Sequence, residues 1–162
     1  MKKRVLSLLL AVLIVLALVP PAEVRAAEIV QEGKCGNNAA FTLDSNGVLT
    51  ISGMGAIYSY AFEPERDKPY CGDIQHVVIQ SGITEIGTCS FYNCENISSV
   101  TLPNTLTKIG FNSFYGCTAL ANLSIPKGIV EISDYAFGNT GLTKVSLANP
   151  NTILNGGIFS GC

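Results

Sequence analysis

The chain has 162 residues, of which 14% are charged and 48% hydrophobic, with six cysteines, one histidine and no tryptophan. A formal net charge of −2 and a pI near 5.3 exclude a basic surface for nucleic acid or for anionic membranes. The length suits one domain, and part of the mean hydropathy of +0.36 comes from the first segment.

That segment opens with Lys2, Lys3 and Arg4, runs apolar from Val5 to Val19 and stops at Pro20-Pro21. Val24-Arg25-Ala26 then offers small residues where a signal peptidase reads, so residues 1–26 are predicted to be a secretory signal peptide cleaved before Ala27. Fifteen apolar residues would span about 22 Å as a helix, short of the ~30 Å hydrocarbon core. No later stretch is long enough to span a membrane, so none is expected after signal cleavage. From Ala27 onward six basic residues face eleven acidic ones, a net charge of −5. Six cysteines in an exported chain permit disulfides.

Residues 27–73 are expected to form an N-terminal β-hairpin cap and linker. Ala27 to Lys34 reads as a short, mobile polar lead-in. Phe41 and Leu43 alternate with Thr42, and Leu49 and Ile51 alternate with Thr50, on either side of Asp44-Ser45-Asn46-Gly47. Asn-Gly tolerates the positive φ of a tight turn, so the two runs predict a hairpin. Glu63 to Pro69 carries dense charge of mixed sign and reads as a solvated loop.

Residues 74–162 repeat one pattern at 74–96, 97–119, 120–141 and 142–162, the last unit incomplete. Each unit opens with apolar residues spaced as in Ile74-x-x-Val77-x-Ile79: then Ile97, Val100, Leu102; Leu120, Leu123, Ile125; and Leu142, Val145, Leu147. A second apolar set follows at Ile83 and Ile86, Leu106 and Ile109, Ile129 and Ile132, and Leu154. A phenylalanine closes each unit, at Phe91, Phe114, Phe137 and Phe159. A period of 22 to 23 residues with L-x-x-L-x-L spacing predicts a repeat solenoid. The expected fold is a β-rich leucine-rich-repeat right-handed superhelix, with a parallel sheet on one face, a mostly irregular back and the hairpin cap. One unit cannot bury its own apolar residues. A lone coil loses about 1–2 kcal/mol of backbone entropy per residue, against roughly 1.5–3 kcal/mol for each side chain it could fully bury. Gly87 and Gly110 read as the residues that permit a tight bend. No polar terminal cap follows the fourth unit, so its edge is expected to be covered by further repeats or by a partner.

The run Leu106-Thr-Lys-Ile-Gly to Phe114-Tyr-Gly-Cys-Thr-Ala-Leu120 resembles the BspA-like leucine-rich repeats of bacterial surface proteins. Thr84-Glu85-Ile86-Gly87 and Ile132 to Phe137 fit the same pattern, and Gly47-Val-Leu-Thr-Ile-Ser-Gly53 resembles the lead-in that precedes such repeats. The resemblance implies a bacterial protein, secreted or at the cell surface, that mediates protein–protein binding, with adhesion to host or neighbouring cells as its use. The alternative is a structural spacer that presents another part of a larger exported protein, an enzyme fragment included.

The residues themselves point to no catalysis. His76 falls on the outward side of a strand with no acid placed beside it, and Gly53-Met54-Gly55 is too short for a phosphate loop. Cys89 and Cys94 form a close pair that nothing completes as a metal site. No cofactor is expected. Cys94, Cys117 and Cys162 share one repeat position, which reads as a column of small, buried, reduced side chains broken at Thr140. Cys35 with Cys71 is the expected disulfide, tying hairpin to first coil. The expected protein-binding face is the outward side of the strands: His76, Ser99, Asn122 and Lys144 in one row, Val78, Thr101, Ser124 and Ser146 in the next.

Overall fold

The computed structural model describes residues 26–60 and 72–162, and these contain strands and turns. The expected signal peptide (but for Ala26), the charged loop from Glu63 to Pro69, and Cys71 lie outside the described residues.

Three strands come first: β1 (Ile29–Lys34), β2 (Asn38–Asp44) and β3 (Val48–Ala56). β2 and β3 form the expected antiparallel hairpin, with Phe41 opposite Ile51 and Leu43 opposite Leu49. Its turn is closed by the Asp44 carboxylate, which accepts the amides of Asn46 (2.9 Å) and Val48 (3.0 Å), while Gly47 takes a φ of 73°. The lead-in is not a loose tail. Ile29 to Lys34 pair antiparallel with β2, because Ile-Val-Gln strand chemistry meets that strand's open edge.

The repeats each contribute two short strands. These are β4 (His76–Ile79) and β5 (Ile83–Ile86), β6 (Ser99–Thr101) and β7 (Lys108–Ile109), β8 (Asn122–Ile125) and β9 (Glu131–Ile132), and β10 (Lys144–Leu147) and β11 (Ile153–Leu154). Successive coils are in parallel register. His76 lies beside Ser99, Glu85 beside Lys108 beside Glu131 beside Ile153, and Asn122 beside Lys144. The step is therefore the repeat length read from the sequence. The single deletion, after Thr140, is absorbed at Gly141, where a Cβ would lie 2.3 Å from the Thr118 carbonyl.

β3 is also the first rung of the stack. Its residues Val48 to Ile51 pair in parallel with β4, and Gly55 and Ala56 pair with β5. Leu49 and Ile51 thus hold the places of Val77 and Ile79, one coil earlier.

The expected irregular back is instead ordered twice over. β3, β5, β7, β9 and β11 form one continuous ladder. Beyond it, each phenylalanine segment donates to the next: Phe91 N to Ser113 O (2.7 Å), Phe114 N to Ala136 O (2.8 Å) and Phe137 N to Ile158 O (3.0 Å). The physical cause is that backbone groups buried between coils must be paired.

Two left-handed residues per coil shape that last segment: Cys89 and Asn93, Asn112 and Gly116, Tyr135 and Asn139, Gly157 and Gly161. These, not Gly87 and Gly110, make the bend. Gly87 and Gly110 serve close approach, since a Cβ on either would sit 2.5 Å or 2.7 Å from the carbonyl of Ile57 or Ile86 in the coil before. The core lies inside the coils. Phe91, Phe114, Phe137 and Phe159 stack with ring centroids 4.9, 5.4 and 6.0 Å apart, close to the ~4.8 Å strand spacing that sets the coil rise.

Candidate binding face

The alternation that buries Val77, Ile79, Leu123 and Ile125 turns their neighbours outward. His76 and Val78 are half-buried, and Ser99, Thr101, Asn122, Ser124, Lys144 and Ser146 are exposed. The register pairs His76 with Ser99 and Val78 with Thr101, and Asn122 with Lys144 and Ser124 with Ser146. His76 Nδ1 lies 2.8 Å from Ser99 Oγ, and Ser146 Oγ donates to Ser124 Oγ at 3.1 Å. Asn122, Ser124, Lys144 and Ser146 line a shallow depression at one end of the face.

The face is longer than the sequence reading made it. Val48 lies beside His76, Thr50 beside Val78, and Thr42 of β2 beside Thr50. A hydroxyl row therefore starts at Thr42 and Thr50 and resumes at Thr101, Ser124 and Ser146. The signal was present: Val48-Leu49-Thr50-Ile51 has the same outward-inward order as His76-Val77-Val78-Ile79.

The cysteines do not follow expectation. Cys35 is a buried free thiol, and Cys71, its expected partner, lies outside the described residues. Burial pushes the Cys35 thiol up to about 11, with a backbone hydrogen bond opposing. Enclosed by Ala39 and the hairpin core, Cys35 acts as a small hydrophobe. Cys94, expected to be reduced, is disulfide-bonded. The column itself is continuous, because Thr140 fills the cysteine place. Its Oγ1 donates to Phe137 O at 2.9 Å and lies 3.2 Å from Cys162 Sγ.

Among the described residues no three His, Cys, Asp or Glu side chains converge as metal ligands, and no helix is long and apolar enough to cross a membrane. Short parallel strands at a fixed step, with phenylalanines stacked behind them, define a leucine-rich-repeat protein.

The BspA type leucine rich repeat region matches residues 37–162 in six copies, and the chain belongs to that family. The match begins inside the hairpin, in keeping with the role of β3 as a rung. No curated protein matches the sequence. A leucine-rich repeat protein from Eubacterium ventriosum ATCC 27560 is similar in structure, with 25% identity, a TM-score of 0.53, and 74% of this chain and 40% of that chain covered. The present chain thus spans two-fifths of that protein's length. Leucine-rich repeat proteins from Bacteroides capillosus ATCC 29799 and Bacteroides ovatus ATCC 8483 are similar at 18% and 21% identity, each with a TM-score of 0.49. The matches cover 71% of this chain and 96% of the first, and 85% of this chain and 44% of the second.

Proposed function

We propose that the chain is an exported, non-enzymatic protein-binding module, a right-handed solenoid capped by its N-terminal hairpin, that docks a partner on its strand face. The partner is a protein on a host or neighbouring cell, and the module works outside the cell that makes it. The observation that carries this reading is the outward surface that runs from Thr42 and Thr50 past Val78 to Thr101, and on to Ser124 and Ser146, small and mostly polar over six strands. Short hydroxyl side chains lose little rotamer freedom when covered, and they leave the backbone within reach of a partner. A sheet of this kind offers area and shape, which is what an extended protein contact uses. The basic start at Lys2 to Arg4 and the apolar run from Val5 to Val19 support export.

The test is binding of the purified mature chain to a panel of extracellular-matrix proteins and to intact cells, by surface plasmon resonance and flow cytometry. Thr101→Glu with Ser124→Glu places two like charges mid-face without touching the core. Loss of binding in that variant supports the reading. Binding that survives it moves the site elsewhere, and no binding by the unmodified chain favours the spacer role.

A further inference from the structure

The strand face is not one sheet. β4 pairs with β6, and β8 with β10, but β6 and β8 are not paired; Ser98 O accepts no amide from Ala121 or Asn122, and Leu102 N gives none to Ser124 O. The same two coils are bonded normally elsewhere. Val130 N reaches Thr107 O (2.8 Å), Ser133 N reaches Ile109 O (2.9 Å) and Phe114 N reaches Ala136 O (2.8 Å). The second and third coils are therefore joined along the back and parted at the face.

Residue chemistry accounts for the parting at both ends of β8. Ahead of the strand, Ser98 gives Gln75 O both its amide (2.9 Å) and its hydroxyl (3.0 Å), and Thr143 does the same to Ala121 O (2.9 and 3.3 Å). The third coil has Ala121 there, with no hydroxyl. After the strand, Gln80 N donates to Ile51 O (2.9 Å) and Ala148 N to Ile125 O (3.0 Å). The third coil has Pro126, with no N–H. Pro103 costs the second coil the same rung, yet Ser98 still anchors the other end and β6 stays paired with β4. Loss at one end is tolerated; loss at both is not.

The parting shows in burial and in side-chain pairing. Val100 and Leu102 point inward but are half-buried, whereas Val77, Ile79, Leu123 and Ile125 are 1, 2, 5 and 1% exposed. The side-chain bonds on the face, His76 to Ser99 and Ser146 to Ser124, stay within each half, and none crosses between β6 and β8.

We infer that the seam between β6 and β8 is a flexing joint built into the fold. The two plates, β3–β4–β6 and β8–β10, rock about the bonded back ladders, and the face closes when the missing rungs form. The unmade bonds face water at the seam, so making them changes the free energy little, and both arrangements are populated. Rocking alters the curvature of the face. The joint stands on the seam's own geometry and holds whatever the face binds.

Native-state hydrogen exchange by NMR tests it. In the neighbouring rung His76 N reaches Gly47 O and Gln80 N reaches Ile51 O, so at period two the amides of Asn122 and Ser124 face β6. They are expected to exchange at least about tenfold faster than the amide of Val78, which is in the paired half. The double variant Ala121→Ser, Pro126→Gln restores both missing donors. It should slow exchange at Asn122 and Ser124 by about tenfold while leaving Val78 unchanged. Equal protection of Asn122, Ser124 and Val78 in the unmodified chain would overturn the joint. So would a folded double variant with unchanged exchange. If that variant does not fold, the comparison within the unmodified chain decides.

Discussion

Truncating Phe114 is the sharpest probe of what holds the coils together. Its ring is fully buried between Phe91, 4.9 Å away at 13°, and Phe137, 5.4 Å away at 9°. A buried Phe→Ala change costs about 3–5 kcal/mol in transfer and cavity terms. Two ring contacts, each worth about 0.5–1.5 kcal/mol beyond area, place Phe114→Ala toward the upper end. Phe159 holds the same place in the last coil, but it is 38% exposed and has one ring neighbour, at 6.0 Å. Its truncation should cost about 1–2 kcal/mol. The two variants are compared by urea unfolding followed by circular dichroism, with the disulfide intact. Because each coil touches only its neighbours, a defect at Phe114 also separates the stack into halves, so its m-value should fall while that of Phe159→Ala does not. Equal losses in the two variants, or a Phe114→Ala loss under about 2 kcal/mol, would refute the claim that the ring stack couples the coils.

Other expectations follow from close approach, burial and exposure. A Cβ on Gly128 would lie 2.0 Å from the Asn104 carbonyl, whereas one on Gly72 meets nothing within 4 Å. Gly128→Ala should therefore cost at least about 2 kcal/mol, and Gly72→Ala should stay within about 0.5 kcal/mol, by thermal unfolding. Cys35 is held neutral in the fold, its pKa raised from 9.0 to about 11. The unfolded chain ionises first, so this stabilisation is complete below pH 9 and is lost as pH rises from about 9 to about 11, a fall of up to ~2 kcal/mol that Cys35→Ala should remove from the pH profile. Alkylation of the native protein at neutral pH should modify Cys162, which is exposed, and spare Cys35 until unfolding, as peptide mass spectrometry will show. Lys108 and Glu131 pair at 3.5 Å with side chains 39 and 33% exposed, so Lys108→Ala should cost under about 1 kcal/mol, less still in high salt.

What the sequence made legible was periodicity. Val77, Val100, Leu123 and Val145 announce one line of strands, the phenylalanines announce the stack, and the steps between them give the register within each paired half. The outward rows follow at once from alternation, so the face from His76 to Ser146 could be written down before any coordinates. The hairpin was read as a separate piece because Phe41 to Ser52 carries its own turn chemistry, which hides that β3 also obeys the repeat. The back read as irregular because its order rests on backbone bonds between coils and on left-handed residues as unlike as Cys89, Asn112, Tyr135 and Gly157. Side-chain pattern does not encode those. Cysteine pairing was illegible for the same reason: it depends on distances across the fold, and Cys35 turned out to lie inside it.

Comparing the coils with one another separates what the stack demands from what it leaves open. Inward places barely vary: Ile86, Ile109, Ile132 and Leu154 fill one line, and the four phenylalanines another. A change in any of them is felt by the coil or coils packed against it. Outward places change freely, from His76 to Ser99 to Asn122 to Lys144, because a strand's outward side chain answers chiefly to solvent and meets the next coil only through contacts such as His76 with Ser99. The seam belongs to this permissive side. Ala121 and Pro126 remove rungs only where the back ladders already hold the coils together, so the fold survives an opening at its face that it could not survive in its core. Both variable surface and local freedom are therefore concentrated on the same side of the molecule, the proposed binding face. That follows from how the coils are bonded.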